Sequence, residues 1–177
     1  MKPEIVSSKA AFGGKVFDVR VDEIREGDVE YKREIVVHRG SAVILPVFDD
    51  GTVALVRQYR HAAGKYLLEL AAGTLEDGED PKTGAIRELE EEIGVTAGKI
   101  EKLCEFYVSP GFLTEKMFVY LATELTETKQ NLEDDEILTI DRHSFTSLLE
   151  MIKNGEIEDA KTIVGIAIAE ARCKKIE

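Results

Sequence analysis

The 177-residue chain has only two cysteines, Cys104 and Cys173, which stand far apart and in no metal-ligand spacing. That excludes a disulfide framework or a cysteine-held zinc and points to a reduced, cytoplasmic protein with unpaired thiols. The three histidines, His38, His61 and His143, are scattered, and neither they nor the thiols make a recognisable nucleophile–base pair. No apolar run approaches the ~20 residues that span a bilayer, and the first ten residues, MKPEIVSSKA, lack a secretory apolar stretch. No membrane partner is expected. Positive charge is also scarce, with 23 Lys and Arg against 35 Asp and Glu and a net charge of −12. A nucleic-acid surface needs a basic footprint, so none is expected. An anionic small molecule stays compatible if metal ions or a few placed arginines supply local positive charge.

What the chain does have is apolar patterning for a core, at 44% hydrophobic residues. Length favours one main domain with a small appendage. The first forty residues alternate in stretches such as Lys15–Asp22, with turn residues at Gly13-Gly14 and Glu26-Gly27-Asp28; they predict half-buried antiparallel strands. Ala42–Leu45 and Val53–Val56 are continuous apolar runs around a turn at Phe48–Gly51, as in strands covered on both faces. Further strand-like segments fall near 101–108, 116–122 and 137–140, and helices near 144–153 and 159–173. In the last helix Ile163, Val164, Ile166, Ala167, Ile168 and Ala171 leave little polar face, which predicts deep burial. The fold class is α/β: residues 1–40 form the antiparallel β appendage and 41–177 a layered domain.

Acid is concentrated at 76–92, with eight acidic and two basic residues, and again at Glu133–Glu136. Asp80 is a good N-cap, Pro81 suits the first helical position and Gly94 a helix stop, so a helix is predicted over 81–93. At about 100° per residue, Ala85, Ile86, Leu89 and Ile93 share a core-facing stripe. Glu88, Glu91 and Glu92 converge beside it, at a like-charge cost of roughly 0.2–0.5 kcal/mol per pair. A solvated acidic face has the same composition. Against that reading stands the preceding loop 71–79, whose two glycines allow tight geometry and a carbonyl ligand for a hard cation. Arg87 is placed to orient the carboxylates. Oxygen-only donors suit Mg²⁺ or Mn²⁺ rather than zinc.

Gly73, five residues to Glu79, seven to Arg87-Glu88-Leu89, then Glu91-Glu92 and Gly94-Val95 resembles the Nudix box at every defining position. The resemblance implies a Nudix-type α/β/α sandwich and hydrolysis of a nucleoside diphosphate linked to another group. It implies two or three divalent ions on Glu88 and Glu92, with Glu91 assisting and the Ala72 carbonyl joining them. Glu79 and Arg87 would support helix and loop.

Other segments resemble the ADP-ribose pyrophosphatase branch of that family. Pro110 lies 16 residues after Gly94 (110 − 94) in Ser109-Pro110-Gly111-Phe112; Val56–Arg60 and Leu68–Gly73 match further stretches, with Ala71 where proline is usual. Residues 31–34 and 38–42 resemble another. The resemblance implies that Arg33 and Arg60, with Arg57 beside the latter, contact the diphosphate or terminal ribose phosphate, and that Glu115 meets ribose hydroxyls. Pro110 shapes the substrate turn, and Phe17 or Tyr31 stacks on adenine. It further implies a homodimer completed through the N-terminal strands. Water attack on ADP-ribose would give AMP and ribose 5-phosphate, with Glu133, then Glu136, as the general base. A GDP-mannose type of pyrophosphatase, a non-catalytic Nudix-like ligand-binding protein and a plain acidic interaction domain are the alternatives.

Overall fold

The computed structural model describes residues 2–133 and 136–173. Asp134 and Asp135, in the middle of the second acidic cluster, therefore lie outside the described residues. The chain divides into two compact units. The first comprises Met1–Gly40 and Phe106–Met117, and the second Ser41–Glu105 and Phe118–Glu177. No helix among the described residues is long and apolar enough to cross a membrane.

The first unit is built on an antiparallel meander of β1 (Glu4–Gly13), β2 (Asp18–Glu26) and β3 (Val29–Val37). Glu26 pairs with Val29, leaving a two-residue connection whose Gly27 sits at φ +61°, a conformation glycine takes without strain. The expected strand from Lys15 is shifted: Lys15–Phe17 belong to the β1–β2 connection, and β2 starts at Asp18. Residues 106–117 join this unit by hydrogen bonds. Val36 N donates to Phe112 O at 2.8 Å and Thr114 N to Val36 O at 3.0 Å, while His38 N donates to Thr114 Oγ1 at 2.8 Å. All of β1 is exposed, Ile5 and Phe12 by more than half.

The second unit has a four-stranded sheet, β7-β4-β9-β8, and a three-stranded one, β10-β5-β6. Their strands are β4 (Ser41–Pro46), β5 (Thr52–Arg60), β6 (Lys65–Glu69), β7 (Ala71–Thr74), β8 (Val95–Tyr107), β9 (Lys116–Glu127) and β10 (Leu138–Ser144); Phe106 and Tyr107 of β8 and Lys116 and Met117 of β9 belong to the first unit. Every residue of β4 is buried. Its Ala42 and Ile44 pack with Ala85, Leu89 and Ile93 of the acidic helix. On its other side, a β-carbon added at Gly165 would meet Leu70, Val119 and Leu45. Helix α1 (Pro81–Glu88) packs on β4 and β7, α3 (Ala160–Cys173) on β4 and β6, and α2 (Phe145–Lys153) on α3 and β10. Helices thus cover the sheet layer from two sides, the expected α/β sandwich.

Four local expectations are corrected. The helix does not stay α-helical to Ile93: after Glu88 it widens into a π-helical turn, Leu89–Ile93. Ile86 is 41% exposed, and Gly84 lies inward beside Ala85 in its place. The loop 71–79 begins as a strand, because Ala71–Thr74 pair with Ser41–Ile44. In α3 the buried side chains are Lys161, Thr162, Ile166 and Ala169, whereas Ala167 and Ala171 are exposed, so the helix has one inner stripe rather than all-round burial.

Candidate active site

Asp80 starts the acidic helix as expected, its Oδ2 accepting from Lys82 N at 3.1 Å and Thr83 N at 3.2 Å, with Pro81 in the first turn. Gly94 ends it at φ +72°, in the left-handed region. Between these caps Arg87 collects the carboxylates. Its Nη1 donates to Glu88 Oε1 at 2.6 Å and to Glu91 Oε2 at 2.9 Å. Its Nε donates to Glu79 Oε1 at 3.2 Å, and Glu79 Oε2 also accepts from Glu76 N at 2.9 Å. The Arg87 hydrogen bonds hold the Glu79 carboxyl below its ordinary range. One guanidinium thereby ties the loop to the helix.

Glu88 and Glu92 are only 6% and 3% exposed. Burial is the main force on both. It pushes Glu88 up to about 7 although Arg87 opposes it, with Glu91 and Glu136 adding repulsion. It pushes Glu92 up to about 8, with further repulsion from Glu88 and Glu136 and partial relief from Ala72 and Arg60. Glu92 Oε2 accepts from Ala72 N at 3.2 Å. The Glu88 carboxylate lies directly against Gly73, where an added β-carbon would fall 1.8 Å from Oε1. Among the described residues no three His, Cys, Asp or Glu side chains form a ready-made metal cage. The buried pair is Glu88 and Glu92, while Glu91 is turned to Arg87.

The loop after β9 is moored to the π-helical turn. Thr128 N donates to Gly94 O at 2.7 Å, Gln130 Nε2 to Glu92 O at 2.6 Å and Asn131 N to Glu91 O at 3.0 Å. Of the two loop glutamates, Glu136 acts electrostatically on Glu88 and Glu92, whereas Glu133 is exposed.

The arginines differ in situation. Arg60 places its fork on Glu69, with Nε 2.7 Å from Oε1 and Nη2 2.8 Å from Oε2, and feels the charge of Glu92. Arg57 pairs with Asp141 at 3.0 Å. In the first unit, Arg33 is exposed, donates to Lys32 O and stacks 4.4 Å above the Tyr31 ring. Tyr31 donates its hydroxyl to Glu26, and Phe17 packs obliquely on Phe12 with centroids 5.9 Å apart. Pro110 lies exposed in the turn closed by Phe112 N to Ser109 O, and Glu115 lies 3.8 Å from His38 Nδ1.

Sequence reasoning passed over Glu69, Lys161, Asp159 and Gln130. For Lys161 there was a signal: a cation in the first turn of a helix opposes the macrodipole, so it calls for a local partner. For Gln130 there was none, because its partner is a backbone carbonyl.

The NUDIX domain family matches residues 37–164. The chain is 38% identical over 169 residues to a protein of Bacillus subtilis (strain 168) named ADP-ribose pyrophosphatase, covering 94% of this chain and 91% of that one. It is 34% identical over 165 residues to a methanol dehydrogenase activator of Bacillus methanolicus, covering 91% and 89%. A solved structure of an ADP compounds hydrolase superposes with a TM-score of 0.86 at 21% identity, over 99% of this chain and 96% of that one, and supports the fold.

Proposed function

The chain belongs to the Nudix hydrolase family, and from that premise we propose that it hydrolyses the diphosphate of ADP-ribose to AMP and ribose 5-phosphate. The observation that carries the chemistry is the pair of buried carboxylates, Glu88 and Glu92, held against Ala72 and Gly73. Arg87 meets Glu88 but also serves Glu79 and Glu91, so keeping both buried glutamates charged without further cations is costly. The donor set is all oxygen, which fits Mg²⁺ or Mn²⁺. Glu88, Glu92 and the Ala72 carbonyl would hold the metal, with Glu91 assisting from its place on Arg87. Two or three such ions, when bound, supply charge neutralisation of the diphosphate and an activated water.

The chain's own residues do the rest. Arg60, with Arg57 on the same strand, contributes positive charge toward the diphosphate, the part that the family resemblance also gives Arg33. Glu136 takes the proton as the water oxygen bonds to phosphorus and the bridging P–O bond breaks. Its electrostatic coupling to Glu88 and Glu92 favours it over the exposed Glu133. By the same resemblance Pro110 and Glu115 serve the ribose end, and Phe17 or Tyr31 the base. The exposed apolar side chains of β1 support a homodimer formed through the N-terminal strands.

The test is product analysis with ADP-ribose and GDP-mannose in Mg²⁺, with Glu92→Gln as the control. AMP and ribose 5-phosphate from ADP-ribose, lost in the variant, are expected. Preferential turnover of GDP-mannose would move the substrate to the alternative, and undiminished activity in Glu92→Gln would remove the metal assignment.

A further inference from the structure

Helix α3 opens with a lysine that its dipole disfavours, and the residue is buried. Lys161 is 6% exposed, although the first turn of a helix is the positive end of its macrodipole. Its ammonium donates to Glu69 Oε2 and lies 3.2 Å from Asp159 Oδ1. Asp159 also caps the helix, its Oδ2 accepting from Thr162 N at 3.0 Å and Thr162 Oγ1 at 2.6 Å. Thr162 Oγ1 in turn accepts from Leu70 N at 2.7 Å. The start of α3 is thus fastened to the backbone at Glu69-Leu70, two residues before Ala72, whose N–H donates to Glu92.

Two cations share one buried carboxylate. Glu69 is 1% exposed and takes Arg60 on both oxygens as well as Lys161. Stability alone does not call for such a cluster, since apolar replacements of buried ion pairs are often neutral or stabilising. Position does. Arg60 keeps 39% of its side chain exposed, and its Nη1 makes no hydrogen bond among the described residues. A fork gripped on one edge presents its other edge in a fixed direction.

We propose that Lys161 is a positioning residue: by anchoring Glu69 from behind, together with Asp159, it fixes the carboxylate that aims the free edge of Arg60 at an anionic diphosphate. This rests on the reading that the site takes a diphosphate. A carboxylate shared with Lys161 also draws less of the Arg60 charge than one that Arg60 alone must neutralise.

The experiment compares wild type, Lys161→Met, Lys161→Arg, Arg60→Gln and the Lys161→Met/Arg60→Gln pair. It measures KM and kcat on ADP-ribose and, separately, the Kd of inorganic diphosphate in Mg²⁺ by calorimetry. Lys161→Met should raise both KM and the diphosphate Kd roughly tenfold, the scale on which loss of a partner behind a binding group acts, and lower kcat much less. Lys161→Arg should recover most of the loss. Once Arg60 is gone, Lys161→Met should add nothing. An unchanged Kd with only a lower Tm would overturn the proposal, as would additive losses in the pair or a wild type that does not bind diphosphate. Where Lys161→Met does not fold, Asp159→Asn takes its place; it should raise the Kd by a smaller factor, and no rise overturns the proposal. Wild type that binds diphosphate, responds to Lys161→Met and yet leaves ADP-ribose intact would sink the substrate reading alone.

Discussion

At the scale of single residues, Glu88 and Glu92 set the pH behaviour. Both carboxyls lie above their ordinary value of 4.5 in the folded chain, at about 7 and about 8. A raised pKa stabilises the fold fully below the unfolded value and loses that contribution as pH rises through the folded one. Metal-free protein should therefore melt at a higher temperature near pH 5 than near pH 8.5. Divalent metal should reverse the trend and release protons on binding near neutral pH, seen as a dependence of calorimetric heat on buffer ionisation enthalpy. A melting temperature flat from pH 5 to 8.5 in EDTA would contradict this. Gly73 makes a second test. Because a β-carbon there would collide with the Glu88 carboxylate, Gly73→Ala should cost about 1–3 kcal/mol by denaturant unfolding and weaken Mg²⁺ activation more than a neutral change elsewhere on β7. Gly78→Ala is not the right control, since Gly78 has φ +75°.

At the scale of elements, the π-helical turn decides how the site is assembled. Widening the last turn leaves the Glu91 and Glu92 carbonyls to be met by the loop after β9, through Asn131 N and the Gln130 amide. That loop continues to Glu133 and Glu136. Gln130→Leu should cost about 1 kcal/mol in stability, the worth of one hydrogen bond. It should also lower kcat on ADP-ribose while leaving KM near wild type; an unchanged kcat would separate the loop from the chemistry. The ends of this helix were legible in sequence, because Asp80-Pro81 and Gly94 act locally. Its inner face was read less well. A straight 100° count puts Ile86 inward, and only the packing of Gly84 near Leu75 and Ala42 excludes it. Strand β7 was hidden for a similar reason, as Ala-Ala-Gly-Thr has little strand propensity and its pairing with β4 creates it. The box that identifies the site was legible as spacing. The clamp from Lys161 to Glu69 was not, because it joins residues 92 apart.

At the scale of the whole molecule, the first unit leaves much apolar surface on β1 and the β1–β2 connection. Ile5, Val6, Phe12 and Val16 are each at least half exposed, more than a lone sheet in water tolerates well. Sedimentation is expected to show a dimer at micromolar concentration, and Phe12→Asp combined with Ile5→Asp should shift it to monomer. A wild type that stays monomeric at high concentration would remove the dimer reading.

The strap formed by residues 106–117 also has a consequence in time. His38 makes its hydrogen bonds with Thr114, 76 residues later in the chain. At about 5–20 residues per second of synthesis, the end of β3 waits roughly 4–15 s for its partner to be made. During that interval the meander's last strand is without its closing contacts, so a nascent chain halted before Thr114 is translated should show a protease-sensitive N-terminal segment that becomes resistant once synthesis passes the strap.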